Sequence, residues 1–368
     1  MRKMSVRFLT CFIAVFLLSL SSLQAKDNKE LTFFRIGTGG LDGVYNSMGA
    51  YLSNAISHPP GMPACRVTTN CGVPGLVAVA QSTNGSVSNL HALMSGELDS
   101  AFVQADILYW AYEGKGLFAG EEPKIDLRVL SSLYRESVHL IVNKWSNIKS
   151  IKDLKGKRVS IGIKGSDSYV QSRLILDTFG MALNPDDTYE LPALEAARQL
   201  KEARIDAFFL VTGHPSQIIA SLAEEEVLEI VPIDGVIAQR LQDKYSFLRR
   251  SIVPADTYEG VGEITTLSIP TIWVTTTKMK ERLAYQLLRA LWHQNTRKKF
   301  EQSNDVARDV TYATSFDGVV TPLHEGAMLF HEELEMLKKQ RQFVLDHPTK
   351  EGFDFTFGAF ADPPKEGE

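Results

Sequence analysis

Leu31 to Ser57 reads LTFFRIGTGGLDGVYNSMGAYLSNAIS, and the rest of the chain is organised around this stretch. Leu31, Phe33 and Ile36 belong to a short apolar and aromatic run with the character of a β-strand. Gly37, Thr38, Gly39, Gly40 and Gly43 interrupt it. Val44, Met48, Tyr51, Leu52 and Ile56 then recur at helical spacing. A glycine-rich turn between strand and helix leaves backbone N–H groups beside the positive end of the helix dipole, a setting for a carboxylate or phosphate. The dinucleotide fingerprint is broken, because Asp42 stands where its third glycine belongs, and no Lys-Ser/Thr pair follows Gly43 as a Walker loop requires. A turn that merely needs positive φ is the plainer alternative.

The chain has 368 residues and a formal charge of −5. It opens with MRKMSVRFLTCFIAVFLLSLSSLQA: Arg2, Lys3 and Arg7, an apolar run from Phe8 to Leu20, and small or polar residues up to Ala25. This is the pattern of a secretory signal, residues 1–25, with an uncleaved anchor as the alternative. Its removal takes away three positive charges and leaves an acidic protein exported to the periplasm, with no reason to expect a nucleic-acid partner. Cys65 and Cys71 are the cysteines outside the signal, and in an oxidising compartment they are expected to pair in a disulfide that closes a small loop. Zinc would need two further ligands that the neighbouring sequence does not offer, so no metal is expected.

A chain of this length exceeds one ordinary core, so two domains are expected, and the alternation of strand-like and helix-like runs implies α/β architecture with largely parallel sheets. Pro74–Gln81 reads as a strand, and Val87–Met94 as a helix capped by Ser86 and ended by Gly96. Gln104 and Asp106 stand just past the strand Leu98–Val103, at the carboxyl end where open α/β sheets bind ligands. LRVLSSLYRESVHLIVN (127–143) suggests two extended runs leaving the first domain. Arg158–Ile163 is a further strand; Gly165, Ser166, Asp167 and Ser168 follow, then a helix from Tyr169 to Phe179. That repeats the first turn, and two such turns could grip an anion from both sides. Ile205–Val211 is a buried strand with Gly213, His214 and Pro215 at its end; His214 could donate to a ligand or be satisfied within its loop. Pro270 inside LSIPTIWVT (267–275) suits an edge strand or a hinge crossing. Met279–His293 is a helix with Leu283, Leu287, Leu288 and Leu291 on one face. A last helix starts at Pro322 and turns Leu323, Met328, Phe330, Leu334 and Leu337 inward. His324 and His331 are seven apart, unlike the four of a zincin. A tail from residue 346 carries Phe353, Phe355, Phe357 and Phe360.

FRIGTGGLDGVYNSMGAYLS, NGSVSNLHALMSGELDSAFVQADILYWAYEG, SIKDLKGKRVSIGIKGSDS, IDAFFLVTGHP and TPLHEGAMLF, in this order, resemble the extracytoplasmic solute receptors of TRAP transporters, TAXI subfamily. The resemblance spans about Phe33 to Glu333. It implies a type II periplasmic binding protein fold, two α/β lobes with a ligand cleft between them. Lobe 1 would comprise 26–137 and 270–345 and lobe 2 138–269, with crossings near Val138–Leu140 and Ser268–Pro270. Carried over residue by residue, it places Thr38, Gly39, Gly40, Val44, Tyr45, Ser86, Asn89, Gln104 and Asp106 in the cleft from the first lobe, and Gly165, Ser166, Ser168, Gly213, His214 and Pro215 from the second. The family often reads Gly-Ser-Gly-Thr at the second turn, whereas here Asp167 and Ser168 fill its last two places; Asp167 either points to solvent or adds negative charge near the ligand, which speaks against a plain dicarboxylate. Asn46 likewise replaces a common second tyrosine.

The resemblance implies a monomeric periplasmic receptor, not an enzyme and without a cofactor. It would capture a small carboxylated solute, glutamate, 2-oxoglutarate or a related organic acid, and hand it to the membrane subunits of a TRAP permease. Two rivals are a ligand-sensing module that docks a signalling receptor and an exported α/β enzyme. The enzyme has neither a G-x-S-x-G elbow nor a metal-ligand cluster in the sequence to support it.

Overall fold

The computed structural model describes residues 31–41, 43–66, 71–303 and 305–346. The signal segment, Asp42 and the tail beyond residue 346 lie outside the described residues. The opening stretch forms strand β1 (Thr32–Gly37) and helix α1 (Val44–Ile56). After the short pair β2 (Ser57–His58) and β3 (Val73–Pro74), β4 (Leu76–Gln81) runs parallel to β1. Helix α2 (Ser86–Ser95), strand β5 (Ser100–Gln104) and helix α3 (Ala105–Glu113) complete this part. Gly96 ends α2 in the left-handed conformation, as its sequence suggests, but the residue before the helix is Gly85 and the Ser86 side chain caps nothing. Ser86 is instead the first helical residue, and its Oγ accepts a hydrogen bond from the Gln104 N–H at 2.9 Å.

LRVLSSLYRESVHLIVN is one 17-residue strand, β6 (Leu127–Asn143), rather than two runs. Its first part pairs antiparallel with β12 (Ile264–Thr276), and its second with β9 (Ala207–Thr212) and β10 (Leu228–Val231). Strand β12 makes the reciprocal exchange, from β11 (Arg249–Val253) to β5, and the two long strands meet last at the pair Ser137–Ser268. Partner exchange along two neighbouring strands is how one ten-stranded sheet continues from one half of the molecule into the other: eight strands follow the order β4-β1-β5-β12-β6-β9-β7 (Val159–Ser160)-β8 (Thr188–Tyr189), and β10 and β11 pair with β6 and β12 off that path. The sheet is mixed and not largely parallel, because the two long strands pair antiparallel with each other and with β5, β9, β10 and β11. Pro270 pairs with Arg135 of β6 on one side, and on the other it falls between the last β11 pair at Ser268 and the first β5 pair at Thr271, so it stands where β12 changes partners and not in an edge strand. It is tolerated because among the described residues no strand faces it across that gap, where the N–H that proline lacks would have no ladder partner.

In the second half, β7 (Val159–Ser160) pairs with β8 (Thr188–Tyr189) and β9, and is much shorter than Arg158–Ile163 suggests. The chain leaves the ladder early because Gly162 and Gly165, with φ of +88° and +86°, turn it toward helix α4 (Asp167–Thr178). Helices α5 (Ala193–Lys201), α6 (Gln217–Glu224) and α7 (Gly235–Lys244) cover this half, and α8 (Glu281–Leu291), α9 (Gln294–Glu301), α10 (Asp305–Asp309) and α11 (Glu325–Asp346) return to the first. Leu287, Leu288 and Leu291 of α8 are buried, and Leu283 partly so. Helix α11 begins at Glu325, not Pro322, because His324 precedes it: its Nδ1 accepts from the Gly326 N–H at 3.1 Å. Phe330 points inward as expected, but Met328 is 43 % exposed, since the buried stripe follows Ala327, Phe330 and His331 instead.

Cys65 and Cys71 form a disulfide. A loop this short constrains the unfolded chain weakly, and its reduction should cost about 2 kcal/mol. Melting with and without reductant checks this; loss of the cooperative transition on reduction would show that the bond holds more than its own loop.

Candidate functional site

A cleft of about 180 Å³ opens between the carboxyl ends of the strands in the two halves of the sheet. Liquid water occupies roughly 30 Å³ per molecule, so about six waters or one small solute would fill it. One wall is Gly39, Gly40, Gly43, Val44 and Tyr45 from the first turn and Thr83, Asn84 and Gly85 from the next. The facing wall has Gly162, Ile163, Ser166, Asp167 and Ser168, then Pro192 and Ala193, and the Phe209–Thr212 end of β9 with Ser216. Glu136 of β6 lines it as well.

Five helices begin at this cleft: α1 after Gly43, α2 after Gly85, α4 after Ser166, α5 after Pro192 and α6 after Ser216. Of these, only α4 has a side-chain cap, the Ser166 Oγ accepting from the Tyr169 N–H at 3.2 Å. Uncapped N-termini present N–H groups and positive dipole ends to whatever fills the space.

The two glycine turns touch one another. A Cβ at Gly85, where φ is +118°, would lie 3.0 Å from Asp167 Oδ2 and 3.3 Å from Ser166 Cα, and one at Gly165 would lie 2.8 Å from Ser88 Oγ. Glycine is required at both positions by backbone conformation and by the closeness of the opposite turn. Below this contact Gln171 of α4 donates from Nε2 to Gln104 Oε1 at 3.2 Å and to the Asp106 carboxylate, joining the halves by hydrogen bonds as well as by packing.

Six of the residues expected in the cleft line it: Gly39, Gly40, Val44, Tyr45, Ser166 and Ser168. Ser168 Oγ also accepts from the Val211 N–H at 2.9 Å, tying α4 to β9. The others are placed elsewhere. Thr38 is buried, its hydroxyl donating to the Gln81 carbonyl at 2.7 Å. Asn89 donates to the carbonyls of Thr38 and Phe102 at 2.8 and 2.7 Å and accepts from Thr83 Oγ1, so it holds the first turn in shape from behind. Ser86 holds the end of β5, and Gln104 donates to Glu136 Oε2 at 3.0 Å. Asp106 lies beneath the cleft on Gln171. Gly165 faces Ser88, and Gly213 packs toward Val306 and Val44. His214 Nδ1 lies 3.3 Å from Ser137 Oγ, and Pro215 follows it across a cis peptide bond.

Glu136 is the acidic lining residue that sequence patterns did not single out, because it sits inside a long strand with no turn or motif to mark it; Thr83, Ile163, Pro192, Ala193 and Ser216 also line the cleft without having been expected there. It is 3 % exposed, and Asp167 8 %. Burial drives the Glu136 carboxyl well above the usual range and the negative charge of Asp167 adds to it. Burial likewise pushes Asp167 up to about 7 and Asp106 up to about 6, against the opposing effect of their hydrogen bonds. Asp167 Oδ1 and the hydroxyl of Tyr45 have no hydrogen-bond partner. No lysine, arginine or histidine is among the described residues that line the cleft. Cys65 and Cys71 lie near His293, but their sulfurs are bonded to each other and so are not thiolate ligands. Among the described residues no helix is long and apolar enough to cross a membrane.

The chain is similar to several solved structures. The histidine-bound substrate-binding protein of an ABC uptake transporter from Streptococcus pneumoniae shares 15% identity, with 78% of this chain and 96% of that one covered and a TM-score of 0.45. MatC from Rhodopseudomonas palustris, with bound malate, shares 13% over 83% and 98% of the two chains, with a TM-score of 0.49. The periplasmic aliphatic sulphonate binding protein SsuA from Escherichia coli shares 15% over 86% and 94%, with a TM-score of 0.44. A protein-family model matches residues 36–334, most of the sequence and all of the cleft, and by that match the chain belongs to the NMT1-like family.

Proposed function

We propose that this protein is a periplasmic solute receptor of a TRAP transporter of the TAXI type, which captures a small carboxylate-bearing solute and delivers it to the membrane subunits. The observation that carries this reading is the cleft itself: it is lined from both halves of the sheet, and five helices begin at its surface, four of them uncapped there by any side chain. Such N-termini suit a carboxylate without requiring a basic residue. On this reading residues 26–137 and 270–345 form one lobe and 138–269 the other, and the partner exchange at Ser137 and Ser268 marks the hinge. A solute that touches both turns favours the closed arrangement by its differential affinity for it.

A thermal-shift screen of the refolded protein against amino acids and organic acids tests the reading, because a ligand that binds only the folded state adds about 2.7 kcal/mol at a hundredfold excess over its Kd. Ser166→Ala separates the site from the scaffold. Loss of the α4 cap should cost about 1 kcal/mol of stability, whereas a contact with the solute should add a further, ligand-dependent loss of affinity. Unchanged affinity in Ser166→Ala would remove that turn from the site.

A further inference from the structure

We infer that the cleft selects a solute carrying a protonated amine and no net negative charge, with the amine held against Asp167 and Glu136. The inference rests on the receptor reading and narrows its solute class. Both carboxylates line the cleft and are more than nine-tenths buried. Neither meets a cation there, since no lysine, arginine or histidine is among the described lining residues. Buried carboxylates are retained where something offsets their desolvation, and a cationic ligand is the partner this cavity has room for.

The unmet hydrogen bonds are a second, independent observation. Asp167 Oδ1 can only accept when ionised and has no donor, and the hydroxyl of Tyr45, 4 % exposed in the facing wall, is also without a hydrogen-bond partner. An ammonium supplies the donors that Asp167 lacks. The uncapped starts of α1, α5 and α6 are then left for a single carboxylate on the same solute. A second carboxylate would enter beside two acids with no basic side chain to meet it.

The titratable groups that face Asp167 are Asp106 of α3, Glu136 and Tyr134 of β6 and Tyr45 of α1. All are acids, so raising the pH through about 7 can only make the site more negative. Affinity for an amine-bearing solute should therefore rise with pH across that range, and affinity for a plain organic acid should fall.

Calorimetric titration of the refolded full chain with L-glutamine, L-glutamate and 2-oxoglutarate varies charge on one carbon skeleton, and neutral or basic amino acids and diamines set against malate, succinate and pyruvate extend it. The expected result is binding among amine-bearing compounds of zero or positive charge, with at least about tenfold preference over the matched acid and loss of that preference in Asp167→Asn. The wild-type pH profile gives the same answer should that variant fail to fold. A dicarboxylate or 2-oxo acid that binds as tightly as its amine counterpart overturns the inference and leaves the receptor standing. Failure of every compound to bind natively refolded protein overturns the receptor reading, and the inference with it.

Discussion

At pH 8, without added solute, Asp167→Asn is expected to melt roughly 5 °C or more above the wild type, and the gap should narrow steadily as the pH falls through 7 and close only near the ordinary carboxylate value of 3.8. The cause is the burial that raises Asp167 from the ordinary 3.8 to about 7 in the folded protein. Between those values the folded chain keeps a proton that the unfolded chain has lost. The folded state then binds more protons, so stability falls as pH rises through the window, and above it the whole penalty is present. Each tenfold change in proton affinity is worth about 1.4 kcal/mol, so the penalty is on the order of a few kcal/mol, and asparagine removes the ionisation while keeping the shape. Asp106, raised to about 6, adds a second, lower window in the same direction. The wild type should accordingly gain stability on acidification from pH 8 to about 5. Melting curves at half-unit intervals check both proteins. A wild-type curve that rises with pH, or two parallel curves, would show that Asp167 ionises in the folded protein as freely as in water. A solute that brings an ammonium to Asp167 should erase the difference, because it offsets the same penalty from outside.

Trp273→Ala should be the most damaging single change in the sheet, at about 3–5 kcal/mol. Trp273 lies in β12 between Phe102 of β5 and Ser131 of β6, is 0 % exposed, and donates from Nε1 to Ser100 Oγ at 2.9 Å. Alanine would leave a cavity the size of an indole in the strand that joins the halves of the molecule, and would leave the Ser100 hydroxyl without its donor. Trp273→Phe keeps most of the volume and should lose about 1 kcal/mol from the hydrogen bond together with a smaller packing defect. Urea unfolding of the two variants separates the terms. A cost below about 1 kcal/mol for the alanine would mean that the sheet can close over the gap, which close packing on both faces argues against.

Much of the cleft could be read from the sequence because turns announce themselves locally. A strand followed by glycines and a helix needs only neighbouring residues, so the turns at Gly39–Gly40 and at Ser166–Ser168 were legible, while Val44 and Tyr45 came to the cleft through the family resemblance. The disulfide followed from two cysteines in an exported chain. Thr38, Asn89, Ser86 and Gln104 have the same polar chemistry and sit beside the same turns, yet their side chains hold the turns from behind. Which side of a turn a polar group faces depends on strand phase at Thr38 and Gln104, where one residue reverses it, and on helix phase at Ser86 and Asn89, where one residue turns the side chain by about 100°.

By itself, then, the sequence determined the alternation of strands and helices, the two glycine turns and the departure at Asp167, since each rests on residues close together in the chain. Tertiary structure alone decided that β6 is continuous through Glu136, that β12 places Pro270 where it changes partners from β11 to β5, and that Glu136 and Asp167, far apart in sequence, share one buried cleft. The reason is physical: pairing partners and burial are non-local, and a carboxylate acquires its unusual proton affinity only when distant segments close over it and exclude water.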